Sequence, residues 1–141
     1  MDALNKDLTT TFDLQASHFA RFAGPLLMVR PRVLGSYGLD VDRKPRHVEI
    51  DLEQTMQGTD EYDIELPQGY VVDELPDPVK IDVGFASYVS STELRGRVLH
   101  YSRTYTVRQV TLPAAQYAAV QQLAAAIAAD EDSQAILKRG N

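Results

Sequence analysis

The chain has 141 residues, 44% of them apolar, with neither cysteine nor tryptophan and a formal net charge of −6. Without cysteine there is no disulfide, no thiolate zinc site and no cysteine nucleophile. The acidic balance and the scattering of Lys and Arg argue against a nucleic-acid partner, which would require clustered cations along a phosphate backbone.

The length suits one domain spanning residues 1–141, with residues 1–8 as a flexible start. Asp2, Lys6 and Asp7 stand where a signal peptide would carry its apolar core, so no export signal is expected in the chain. The longest apolar runs, 26–29 and 123–129, fall far short of the roughly 20 residues of a membrane-spanning helix.

In chain order, Phe12, Leu14 and Ala16 alternate with polar neighbours and predict a half-buried strand. Gly24-Pro25 interrupts, and 26–29 reads as a short buried strand before Pro31. Residues 35–45 are rich in Gly, Ser, Asp and Pro and predict a loop, and Arg43, Lys44 and Arg46 form the one short basic cluster, interrupted by Pro45 and read as solvated loop. Val48, Ile50 and Leu52 alternate with His47, Glu49 and Asp51. Tyr62, Ile64 and Leu66 alternate with Glu61, Asp63 and Glu65. Each segment then has one core face and one wet face, as antiparallel sheets do.

Residues 70–75 and 79–83 predict further strands, separated by Pro76-Asp77-Pro78. The segments 85–92 and 97–108 predict the two arms of a long hairpin. Closing it with Glu93 and Gly96 sets Tyr88 opposite Tyr101. Residues 113–129 hold nine alanines and no glycine, predicting a helix with Tyr117, Val120, Leu123 or Ala124, and Ile127 on one face. Asp130, Glu131 and Asp132 are unfavourable at a helix C-terminus, so the helix is expected to stop before them, and they are expected to start a second short turn through 135–137. The sum is a mainly β protein: an antiparallel β-sandwich with one amphipathic C-terminal helix packed on an edge or end of its sheets.

Read together, several stretches resemble the C-terminal β-sandwich domain that follows the transglutaminase-like core in large bacterial proteins. They are Gly24-Pro25-Leu26-Leu27 with Pro31, residues 46–52, Asp-Ile-Glu-Leu-Pro-Gln-Gly at 63–69, and Glu74-Leu75-Pro76. Tyr-Ser-Arg-Thr-Tyr at 101–105 and Leu112-Pro113 with Gln116-Tyr117 complete the set. The resemblance covers residues 12–139. It implies a non-catalytic accessory or interaction domain, no cofactor, and the transglutaminase-like core of the same parent chain as partner. It also implies a longer, exported parent in the periplasm or cell envelope. The Cys, His and Asp of such cores have no counterpart here, so the chain is expected not to be an enzyme.

Four groups of residues invite a functional reading. His47, Glu49 and Asp51 on one strand and Glu61, Asp63 and Glu65 on another could converge on Ca²⁺ if the strands were neighbours, but they lack the Gly-turned loop of calcium sites, and a solvated sheet face suffices. Ser17-His18 beside aspartates could form a triad, without any nucleophile elbow to present it. Asp73, Glu74 and Asp77 flank prolines and read as turn formers rather than glycosidase acids. His100 reads as an ordinary sheet residue.

Arg103 is the most informative position. It shares a strand face with Leu99, Tyr101, Tyr105 and Val107. That row, with Tyr88, is either a platform for a carbohydrate or peptide, or a structural arginine stacked on tyrosine and paired with a buried acid. The second is the expected arrangement, because tyrosines on a long central strand are usually core.

Overall fold

Alternating strands joined by tight turns form most of the protein, whose computed structural model describes residues 9–11, 13, 15, 19–39, 49–52 and 55–140. The proposed strand at Phe12, Leu14 and Ala16 lies outside the described residues. Strands β1 (Arg21–Ala23) and β2 (Leu26–Val29) form a hairpin across Gly24-Pro25. Then come β3 (Ile50–Asp51), β4 (Met56–Glu65), β5 (Tyr70–Glu74), β6 (Val79–Asp82), β7 (Ala86–Arg95), β8 (Val98–Val107) and β9 (Thr111–Leu112). A 3-10 turn at Ala114–Gln116 leads into helix α1 (Tyr117–Asp132), and β10 (Ala135–Arg139) follows.

Two four-stranded antiparallel sheets result, ordered β1-β2-β10-β5 and β4-β8-β7-β6, with β3 and β9 forming a separate short pair. The fold is therefore mainly β and open-edged, as the alternation predicts. In β4 the residues alternate between partly buried and exposed from Met56 to Glu65, and β8 alternates throughout between fully and partly buried.

The long hairpin turns at Gly96-Arg97, not across 93–96. Gly96 has φ +62° at the first loop position of a two-residue turn, a backbone conformation that disfavours any side chain with a Cβ. Arg95 thus pairs with Val98, and Tyr88 lies opposite Tyr105 rather than Tyr101.

Two further expectations are corrected. The helix does not end at residue 129 but continues through Asp132, and residues 135–137 are not a turn but part of β10, paired with both β2 and β5. Asp130 and Glu131 are buried, and their carboxylates accept several hydrogen bonds. Such charge-assisted bonds outweigh the modest penalty of about 0.3–1 kcal/mol for negative charge at a helix C-terminus.

The apolar core is split. One cluster joins α1 (Tyr117, Val120, Leu123, Ile127) to the inner side of β7 and β8 through Tyr88, Tyr105 and Val107. The other lies between the two sheets and contains Leu27, Val29, Leu66, Leu99, Ala135 and Leu137. Along the inner face of β8 the order is Leu99, Tyr101, Arg103, Tyr105, Val107. The strand therefore runs from one cluster to the other through a polar layer.

Candidate functional site

That polar layer is where the chemistry-bearing residues meet. Its elements are β4, β7 and β8, the C-terminal turn of α1, and the segment 35–39. Alternation in β8 turns Tyr101, Arg103 and Tyr105 inward, and they are 1%, 1% and 4% exposed; Tyr88 of β7 is fully buried. The row proposed as a binding platform is interior.

Arg103 is held on three sides. Its Nε donates to Asp60 Oδ2 at 2.9 Å, and its Nη1 donates to Glu131 Oε2 at 2.8 Å. Its guanidinium lies 4.4 Å from the centroid of the Tyr37 ring, within cation–π range. Burial alone would favour the neutral form, but hydrogen bonding, above all to Glu131, more than offsets it and raises the pKa of the guanidinium. Glu131 shows the mirror effect. Burial pushes its pKa up, and donors from Ser36 Oγ at 2.7 Å, Arg103, and Tyr37 N at 2.8 Å bring it below its ordinary value. One carboxylate thus ties segment 35–39, helix α1 and strand β8 together.

Space for Tyr37 comes from a missing side chain. A Cβ at Gly58 would lie 2.5 Å from the Tyr37 hydroxyl. Gly58 sits opposite Tyr105 in β4, and its bareness lets the Tyr37 ring approach the sheet, 5.1 Å from the Tyr105 ring.

Asp130, one residue before Glu131, serves a second set of partners. Its Oδ2 accepts from Tyr88 at 2.6 Å and Tyr101 at 2.7 Å, and its Oδ1 accepts from Ser90 at 2.7 Å. Burial first, and then the bond to Asp130, pushes the Tyr88 pKa up to about 12; burial also raises that of Tyr101. Both phenols stay protonated donors in neutral solution. This is a saturated acceptor with three hydroxyl donors, not an acid–base pair aimed at a substrate.

Residues 28–137, which contain this entire layer, match the family described as a domain of unknown function with a solved structure, DUF3858. The chain belongs to that family. No curated protein matches this chain. Its fold is similar to part of the crystal structure of a "putative protease" from Parabacteroides distasonis ATCC 8503. The TM-score is 0.67 at 14% identity, over 80% of this chain and 23% of that protein. The DUF3858 domain therefore corresponds to less than a quarter of the length of its solved neighbour.

The remaining candidates in this DUF3858 domain do not converge. Asp51 lies in β3, which pairs with β9, whereas Asp63 lies in β4, which pairs with β8. The two acidic rows are thus on different sheets. His47, Ser17 and His18 lie outside the described residues, and Glu49 precedes β3 without joining Asp63. Among the described residues, no group of three or more His, Asp or Glu could hold a metal ion. Asp73 makes an ion pair with Lys138 at 3.1 Å across β5 and β10.

His100 has a partner that the sequence did not suggest. It lies directly across from Asp63, and its Nδ1 is 2.7 Å from Asp63 Oδ1 on the outer face of the sheet. The residues most missed were Asp130 and Glu131. The one signal for them was the anomaly of three acids at a helix end, where the macrodipole calls for compensation.

Proposed function

We propose that this DUF3858 domain is a non-catalytic accessory module of a longer protein, packed beside a transglutaminase-like core of the same chain. The observation that carries this reading is the internal use of its reactive groups. Arg103, Asp130, Glu131, Tyr88 and Tyr101 bond to one another in the interior, and of this set only Arg103 Nη2 is left without an acceptor among the described residues. The absence of cysteine removes the nucleophile on which transglutaminase chemistry depends. Correspondence to 23% of a much longer solved protein also fits a module, although that support is an analogy of fold.

The test is direct. The purified chain is assayed for casein hydrolysis and for amine incorporation into casein, with background turnover expected in both. Activity that survives repurification and disappears in His18→Ala or His100→Ala would overturn the reading. For the accessory role, deleting residues 19–140 from the full-length gene product should lower the melting temperature of the remainder. An unchanged melting temperature would show that the domain does not support a core.

A further inference from the structure

Among the described residues, positive charge gathers on one face of this acidic chain. Three of its 14 basic residues, Arg21, Arg30 and Arg32, line a half-open cleft of about 340 Å³ on the outer side of the β1-β2-β10-β5 sheet. The pleat explains the gathering. Arg21 in β1 is the direct partner of Met28 in β2, so both project from the same side. Arg30 and Arg32 continue the Met28 alternation past the end of β2, while Val29 and Pro31 between them turn inward.

The lining combines two kinds of surface. Phe19, Met28 and Val33 supply apolar wall, and Gln134, at the start of β10, adds an amide beside the guanidinium groups. The arginines have little to neutralise them. Arg30 has a loose contact of 3.8 Å with Asp132, whose side chain is 75% exposed, and such pairs contribute little in water. Arg21 has no ion-pair partner among the described residues. Arg32 donates through Nη1 to the Gly35 carbonyl, yet its Nε is buried without an acceptor among the described residues. Arg103 Nη2 in the interior shares that state, and in the cleft wall the Arg32 guanidinium adds to a positive charge that favours an anion.

We propose that this cleft binds a small organic anion, with a carboxylate or phosphate head held by Arg21, Arg30 and Arg32 and a short apolar body against Phe19 and Met28. Planar guanidinium groups suit both kinds of head, because each presents paired oxygens to a two-pronged donor. The volume lies at the lower end of small-molecule sites, enough for a ring or a short chain and not for a dinucleotide. The local field favours such a ligand over the rest of the acidic surface, and its influence fades over roughly 10 Å at moderate salt.

Calorimetric titration of the whole chain with phenylacetate, phenyl phosphate, inorganic phosphate and benzyl alcohol tests this. Phenylacetate or phenyl phosphate should bind with millimolar or better affinity, more tightly than inorganic phosphate, and benzyl alcohol should not bind. Preference for phenylacetate assigns a carboxylate ligand, preference for phenyl phosphate a phosphate ligand. Arg21→Gln and Arg30→Gln should each weaken binding roughly tenfold, the loss of one charge-assisted hydrogen bond. Both residues lie at the surface, so melting temperatures near that of the parent chain would show the variants folded. Arg95→Gln, at the distant hairpin turn, should bind like the parent. No binding by either aromatic anion, or equal binding by the parent and the Arg21→Gln/Arg30→Gln double variant, overturns the proposal.

Discussion

Strands β4 and β8 carry two cross-strand pairs of a base with an acid, three residues apart and on opposite faces of one sheet. Arg103 faces Asp60 on the inner side, and His100 faces Asp63 on the outer side. The contact lengths are close, 2.9 Å and 2.7 Å. Their surroundings differ. The Arg103 side chain is wholly buried and has a second carboxylate and an aromatic ring as neighbours, whereas the Asp63 side chain is 69% exposed. Similar geometry therefore carries different energetic weight. Water reaches the Asp63 end of the outer pair and screens it, while inside the sheet nothing replaces Glu131 or Arg103 once the other is removed.

The largest expected effect is on the inner pair. Arg103→Ala should destabilise the domain by about 3–5 kcal/mol, the usual consequence of stranding a buried carboxylate. Urea unfolding measures it, and Arg103→Lys should recover only part, because lysine cannot contact Asp60 and Glu131 in the same planar arrangement. A loss at Arg103→Ala no greater than at Arg97→Ala, which removes a bond to the Pro67 carbonyl, would erase the distinction between the faces.

A smaller loss is expected when the inner side is overfilled rather than emptied. Gly58→Ala should cost about 1–3 kcal/mol, because the added methyl displaces Tyr37 from its place over Arg103 and Tyr105. Gly58→Ala combined with Tyr37→Ala should cost less than the sum of the two single changes, since the clash then has no second party. Strict additivity would separate Gly58 from Tyr37.

Solution pH sharpens the comparison without a mutation. Glu131 is held below its ordinary value of 4.5, so its contribution is complete above that value and is lost as pH falls through its lower folded-state pKa. Tyr88 works in the opposite direction. Its pKa is raised from 10.0 to about 12, so its contribution is complete below pH 10 and is lost as pH climbs toward 12. Glu131→Gln should flatten the acid limb of a stability–pH curve and Tyr88→Phe the alkaline limb, each measured by urea midpoints. Unchanged limbs would show that these groups titrate alike in the folded and unfolded chain.

The smallest effect belongs to the outer face. His100→Ala and Asp63→Asn should each shift stability by less than about 1 kcal/mol, and added salt should shrink the difference between parent and variant further.

The sequence made the inward position of Arg103 legible because pleating imposes a period of two and its neighbours Tyr101 and Tyr105 are large and apolar. The same period made the second half of β4, β6 and most of β8 readable, whereas Met56 to Asp60 were not read as strand. The acids that receive Arg103 and the tyrosines were not readable. Asp130 and Glu131 look like a solvated helix end, and only the docking of α1 on a distant sheet buries them. The hairpin register differed because the turn follows the positive φ available to Gly96, not the more polar group before it. Strand β10 was missed for a related reason: Ala135, Ile136 and Leu137 are equally compatible with a helical turn, and their extended form comes from partners far away in sequence. The arginines of the cleft were visible as residues, but their convergence depended on the pairing of β1 with β2.

The place of β10 bears on how the chain is made. It is an inner strand of its sheet, between β2 near the beginning of the described chain and β5 near the middle. On a ribosome, the β1-β2 hairpin and β5 emerge long before the strand that joins them. In the other sheet β6, β7 and β8 follow one another and can pair as they appear, and β4 needs only β8 to join them. Until residues 135–139 leave the exit tunnel, two apolar strand edges remain open to unwanted pairing. A transcript cut short just after α1 would therefore leave this domain half-assembled and exposed to chaperones and proteases.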